Sequence, residues 1–215
     1  AWIDDHVRFP STMVDSITPA TDDALRRSVG AATGLDDAWP IQREAFTQWV
    51  IEDDFATDRP PLDLAGVQFT HDVHGFENAK LRLLNGAHST LAYVGLLMGL
   101  ATVRDAMACA PLAGFVGRLM RQDIAPSIRP PAEMDLSGYI DAVLARFANP
   151  AIAHQLAQIA WDGSQKLPYR LCDTIRDARA AGRPVDRLAV PIAAWFRFLE
   201  RRQGSGEQLI DPRAD

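Results

Sequence analysis

The stretch from Glu77 to Val103 constrains the fold more than any other part of the chain. Leu91-Ala92-Tyr93-Val94-Gly95-Leu96-Leu97-Met98 is almost wholly apolar. A helix over 76–97 would have no clear solvent side, so it belongs in the core. At about 100° per residue, Glu77, Lys80, Asn85 and His88 fall within an arc of about 140°. Four polar side chains of different chemistry then share one face of a buried helix, where each needs a partner or a task. The segment 87–103 is short for a membrane span, carries His88, Ser89 and Thr90 at one end, and reads as a core helix.

A chain of 215 residues with 47% hydrophobic content buries a full core as one large domain or two small ones. Its net charge of -6, without basic runs or basic patches interleaved with aromatics, argues against nucleic acid or an anionic membrane as partner. Cys109 and Cys172 are too few and too far apart for a disulfide framework or a zinc site. No charged and apolar leader opens the sequence, so a reducing, cytoplasmic setting is expected. Of the 22 basic residues only Lys80 and Lys166 are lysine. Arginine cannot lose its proton and a desolvated lysine can, so a position that needs a titratable amine resists replacement by arginine.

Val7 to Asp15 reads as extended, and Thr18 followed by Pro19 as the start of a helix that ends in a loop over Gly30 to Asp37. The aromatic and β-branched runs Phe46–Glu52 and Gly66–Thr70 read as strands. Helices are expected at 76–97, 100–108, 111–125, 135–147, 150–161, 166–181 and 187–202, with prolines at or near their boundaries. Beyond Gly204 the chain is expected to fray. The pattern divides into a mixed lead, 1–75, and a mainly helical body, 76–215. His71 and His74 lack a spaced third ligand and are not read as a metal site. Arg197, Arg201 and Arg202 read as a solvated helix face.

Three motifs in order resemble the polyol-specific long-chain dehydrogenases, the family of mannitol 2-dehydrogenase, arabinitol dehydrogenase and fructuronate reductase. The first is Val7, Phe9, Thr12, Val14, Asp15, Ile17 and Pro19, in which Ser16 stands where the family has arginine. The second is Lys80, Asn85 and His88. The third is Asp162-Gly163-Ser164-Gln165-Lys166-Leu167-Pro168. The resemblance implies the C-terminal half of such an enzyme: a mainly α, multihelical substrate domain like the C-terminal domain of 6-phosphogluconate dehydrogenase, with a small β element in the first 70 residues. It assigns 1–75 to the tail of a dinucleotide-binding domain and its linking strands. NAD or NADP, without a metal, would be bound mainly by the preceding nucleotide-binding domain. No G-x-G-x-x-G follows a strand here, and Gly30 and Gly34 are badly spaced for one.

Oxidising a secondary alcohol without zinc requires a base for the hydroxyl proton. Lys80 suits that role if burial lowers its proton affinity, and the resemblance implies the same. Asn85 would donate to the developing oxyanion and His88 would orient a substrate hydroxyl or Lys80, and the resemblance implies that Glu77 lies on a proton route. Asp15 is carried over as a substrate-side acid able to hold Lys80. Lys166 and Arg170 would bind the far end of the substrate. Together with Gln158, which stands where mannitol-type members carry arginine, they favour a sugar acid over a neutral polyol. The expected partner is therefore a polyol or sugar acid, with mannitol 2-dehydrogenase as the second choice. A non-catalytic helical interaction module is the alternative of another class, and it requires Lys80, Asn85 and His88 to be sealed and mutually satisfied.

Overall fold

The computed structural model describes residues 2–206 and 208–214. It is mainly helical, with one three-stranded sheet in the first 70 residues. After the short helix α1 (Trp2–His6), strand β1 (Thr12–Asp15) pairs antiparallel with β2 (Gln48–Glu52), which pairs parallel with β3 (Gln68–Thr70). The alternation in β1 turns Met13 and Asp15 inward and leaves Thr12 and Val14 outside. Met13 and Val50 pack on Val73 and Phe76 in a small core of their own.

Between the strands, α2 (Asp23–Thr33) starts later than Thr18-Pro19 suggests and runs into the expected loop. The Asp22 carboxylate accepts from Leu25 N–H at 2.8 Å and so caps the helix, whereas the Thr18 hydroxyl donates to the Ser16 carbonyl. Gly34, at φ 72°, closes the helix in the left-handed conformation that glycine adopts without a Cβ penalty.

The body is built on one continuous helical run, 73–97. It comprises α3 (Val73–Ala79), a π-helical turn (Lys80–Asn85) and α4 (Gly86–Leu97). Nine residues of α4 are buried, and it packs against α5 (Val103–Ala108), α6 (Ala110–Arg118), α8 (Leu156–Ile159) and α11 (Asp186–Ser205). A second π turn (Leu119–Ile124) extends α6, and α7 (Leu136–Phe147) follows where the spacing placed it. The helix expected at 150–161 shrinks to the four residues of α8. Leu156 N–H donates to the Ala101 carbonyl and Val103 N–H to that of His154, so the backbone around Gln155 is held extended against Thr102. α9 (Gly163–Leu167), a third π turn (Pro168–Cys172) and α10 (Asp173–Ala180) complete the order before α11.

The tail is docked where fraying was expected. Asp162 N–H donates to the Ile210 carbonyl at 2.9 Å, and Ser164 N–H to the Asp211 carboxylate at 2.8 Å.

Candidate active site

A cavity of about 250 Å³ opens where the end of β1 meets the π turn of the long helical run and the segment 154–170. Asp15, Ser16, Ile17 and Thr18 form one wall, Lys80, Leu84, Asn85 and His88 the second, and His154, Gln158, Ile159, Lys166 and Arg170 the third. The π turn explains how Lys80 and Asn85 share a wall. Gly86 N–H reaches back to the Leu81 carbonyl, a bond to i−5, which brings residues five apart into line. Glu77 precedes that turn and stays outside, exposed, 3.6 Å from His74 Nδ1.

Lys80 is half-buried at this open cavity, not sealed in an apolar interior. Its Nζ donates a hydrogen bond to the Val14 carbonyl on β1. Asp15 does not hold Lys80, contrary to the sequence reading. Its carboxylate is taken by Arg146 of α7 in a two-pronged pair, both bonds 2.8 Å, and it also accepts from the Tyr139 hydroxyl at 3.2 Å. The same guanidinium donates to Glu44 at 2.7 to 3.1 Å and lies 4.0 Å over the Phe46 ring. Burial alone would lower the pKa of Arg146; the hydrogen bonds of Asp15 and Glu44 outweigh it and push that pKa above its usual value. Ser16 donates to the Phe46 carbonyl, so the residue in place of the family arginine ties down the strand exit.

His88 is buried, its ring 4.4 Å from Phe147 and edge-on to His154 at 5.4 Å. Burial, then the charges of His154, Arg170 and Arg146, hold its pKa well below the ordinary imidazole value, so it is neutral at pH 7. Lys166 lies 3.6 Å from Asp162; burial and then the Arg170 charge lower its pKa against the pull of that carboxylate. Arg170 donates to the Ser89 hydroxyl at 3.1 Å. Gln158 offers no charge, and its Oε1 accepts a long bond from Ala20 N–H. The wall formed by Lys166 and Arg170 is thus rich in cationic donors, and the wall opposite carries an amine beside a side-chain amide.

Two further features of this site went unread in the sequence. His154 falls in a segment taken for a regular helix, which hid its direction. Arg146 and Glu44 lie 131 and 29 residues from Asp15 in the chain, yet both are buried against it or its partner. The available signal was Tyr139, Val143 and Arg146 at i, i+4 and i+7, which puts a charged group on the face of α7 that carries its buried residues.

The profile of the mannitol dehydrogenase C-terminal domain matches residues 72–215, and that of the mannitol dehydrogenase Rossmann domain matches residues 1–64. This chain belongs to the mannitol dehydrogenase family. Among members of the family, it is 42% identical over 99% of its length to the D-mannonate oxidoreductase of Escherichia coli, covering 44% of that protein. To the polyol:NADP oxidoreductase of Gluconobacter oxydans it is 40% identical over 95% of its length, covering 42% of that protein. It superimposes on a Pseudomonas fluorescens mannitol 2-dehydrogenase, solved as a ternary complex with NAD and D-mannitol, with a TM-score of 0.88 and 41% identity. That match covers 99% of this chain and 44% of the other. The chain therefore spans less than half the length of these members of the mannitol dehydrogenase family.

Proposed function

We propose that this chain forms the substrate-binding and acid/base part of a zinc-independent, NAD(P)-dependent oxidoreductase. The reaction interconverts a sugar alcohol or aldonate with its ketose or keto acid, with substrates of the fructuronate and mannonate type favoured. The observation that carries this reading is the convergence of Lys80, Asn85, His88, Lys166 and Arg170 on one open cavity. An interaction module would seal those groups, and the cavity leaves Lys80 and Asn85 half-buried at its wall.

The nicotinamide, when bound, supplies the hydride acceptor or donor. The strands described here carry no glycine-rich turn leading into a helix, so we assign its phosphates to a nucleotide-binding half that works with this chain. Lys80, in its amine form, keeps an N–H bond to the Val14 carbonyl and leaves its lone pair for the proton of a docked hydroxyl. In the reverse direction its ammonium returns that proton to the forming alkoxide. Asn85 donates to the same oxygen, a contribution of roughly 3 kcal/mol for such a donor. Neutral His88 orients a neighbouring hydroxyl, and Lys166 with Arg170 takes the carboxylate of a sugar acid.

Mannitol 2-dehydrogenase activity is the second reading, favoured by the structural likeness to the Pseudomonas fluorescens enzyme. The test joins this chain to the nucleotide-binding half and assays polyols and aldonates with NAD and NADP. Aldonates are expected to give the higher kcat/KM, and a preference for mannitol would select the second reading. Lys80→Met is expected to lower kcat by about 10²- to 10⁴-fold with nucleotide affinity nearly intact. A near-normal rate in that variant would exclude Lys80 as the base.

A further inference from the structure

Arg146 is a buried charge paired with two carboxylates, and the chemistry proposed above gives it nothing to do. Its side chain is 7% exposed and those of Asp15 and Glu44 are 2% exposed. One guanidinium holds both carboxylates while Phe46 lies beneath it. Glu44 in turn accepts from Ile17 N–H at 2.6 Å. The chain from Val14 to Ile17 is therefore gripped at two points by the same cation, directly at Asp15 and through Glu44 at Ile17. Val14, the residue before the first grip, supplies the carbonyl to which Lys80 donates. β1 is an edge strand among the described residues, so the sheet holds it from one side only, and α7 holds the other through Arg146.

We infer that Arg146 is a positioning residue for the reaction: by fixing Asp15 and the strand exit, it sets the place of the Val14 carbonyl and so the direction of the Lys80 amine. The inference rests on the acid/base role proposed for Lys80, but the geometry it describes is measurable without turnover.

Lys80 and Lys166 are the only lysines of the wild-type sequence, so a brief pulse of an acylating reagent read peptide by peptide in the mass spectrometer gives their ratio, with any acylation at position 146 of a variant read on its own peptide. Arg146→Lys keeps the charge and loses the planar fork. It is expected to raise Lys80 acylation relative to Lys166 by about three- to tenfold, the range that corresponds to one ordinary hydrogen bond. Phe46→Leu, which removes only the ring beneath the guanidinium, gives the same readout should Arg146→Lys fail to fold, with a rise in the same direction. Arg187→Met serves as control, since it removes the 2.6 Å partner of a different buried carboxylate, Asp123, and is expected to leave the ratio unchanged.

In the protein joined to its nucleotide-binding half, Arg146→Lys is expected to lower kcat by about ten- to a hundredfold while KM stays within about twofold. Arg187→Met is expected to lower the melting temperature alone. An acylation ratio and a kcat in folded Arg146→Lys that match those of Arg187→Met would overturn the positioning role. If the wild-type protein turns over neither polyols nor aldonates, the oxidoreductase reading fails, and the acylation ratio still decides whether Arg146 directs the amine.

Discussion

His88 sits between Phe147 and His154, buried and uncharged. Because its folded pKa is depressed, the stability it contributes is present in full above the ordinary histidine value near 6.5 and is lost as pH falls below that value. His154, depressed by burial and by Lys166, adds to the loss in the same window. Urea unfolding at pH 7.5, 6.5 and 5.5 is expected to show stability falling toward acid, each histidine adding a slope of up to about 1.4 kcal/mol per pH unit. His88→Asn should flatten that slope by one proton; identical slopes in variant and wild type would sink the assignment. At this scale the sequence was informative where the cavity-lining groups lie on one helical run, as Lys80, Asn85 and His88 do. It named the wrong partner for Asp15, because Arg146 arrives from a helix 131 residues further along. The open cavity beside Lys80, Asn85 and His88 is the setting that the enzyme reading required, and Lys80 is half-buried in it.

Among the elements, the run 73–97 shows what a regular pattern conceals. Its helical character follows from composition, but the π turn at Lys80–Asn85 leaves no periodic trace in the sequence. The four-residue α8 is a similar case: 150–161 has the composition of a helix, and pairing with 101–103 withdraws the hydrogen bonds that would continue it. Gly86, next to Asn85, marks a close approach between backbones, for a Cβ there would lie 2.9 Å from the Arg170 carbonyl oxygen. Gly86→Ala would gain about 0.5–1 kcal/mol in helix propensity. Overpacking against a backbone atom costs about 1–3 kcal/mol, so the net effect is a loss. Chemical denaturation is expected to show lower stability, and the displaced Arg170 should raise KM for aldonates more than for polyols. Equal stability would mean that the helix and the Arg170 segment separate freely.

Across the whole molecule, two cores meet at a charged clasp. The small sheet core and the large helical core are separate clusters of buried residues with Met134 packed on both, and Arg146 of α7 reaches Asp15 on β1 and Glu44 before β2. Hydrogen exchange in Arg146→Lys is therefore expected to quicken at 12–17 and 44–52 while α10 and α11 keep wild-type protection. Uniform quickening would show that the clasp supports the entire fold. The mainly helical body and the small leading sheet could be read from proline placement and β-branched runs, since both are local signals. The docking of the last residues could not, because it depends on Asp162, whose backbone adopts φ 57° and turns its N–H toward Ile210. That docking means the carboxyl-terminal strip 208–211 braces the helix bearing Lys166. Fusing an affinity handle there, or trimming it away, would disturb the segment that carries Lys166 and Arg170, so handles belong at some other point on the chain.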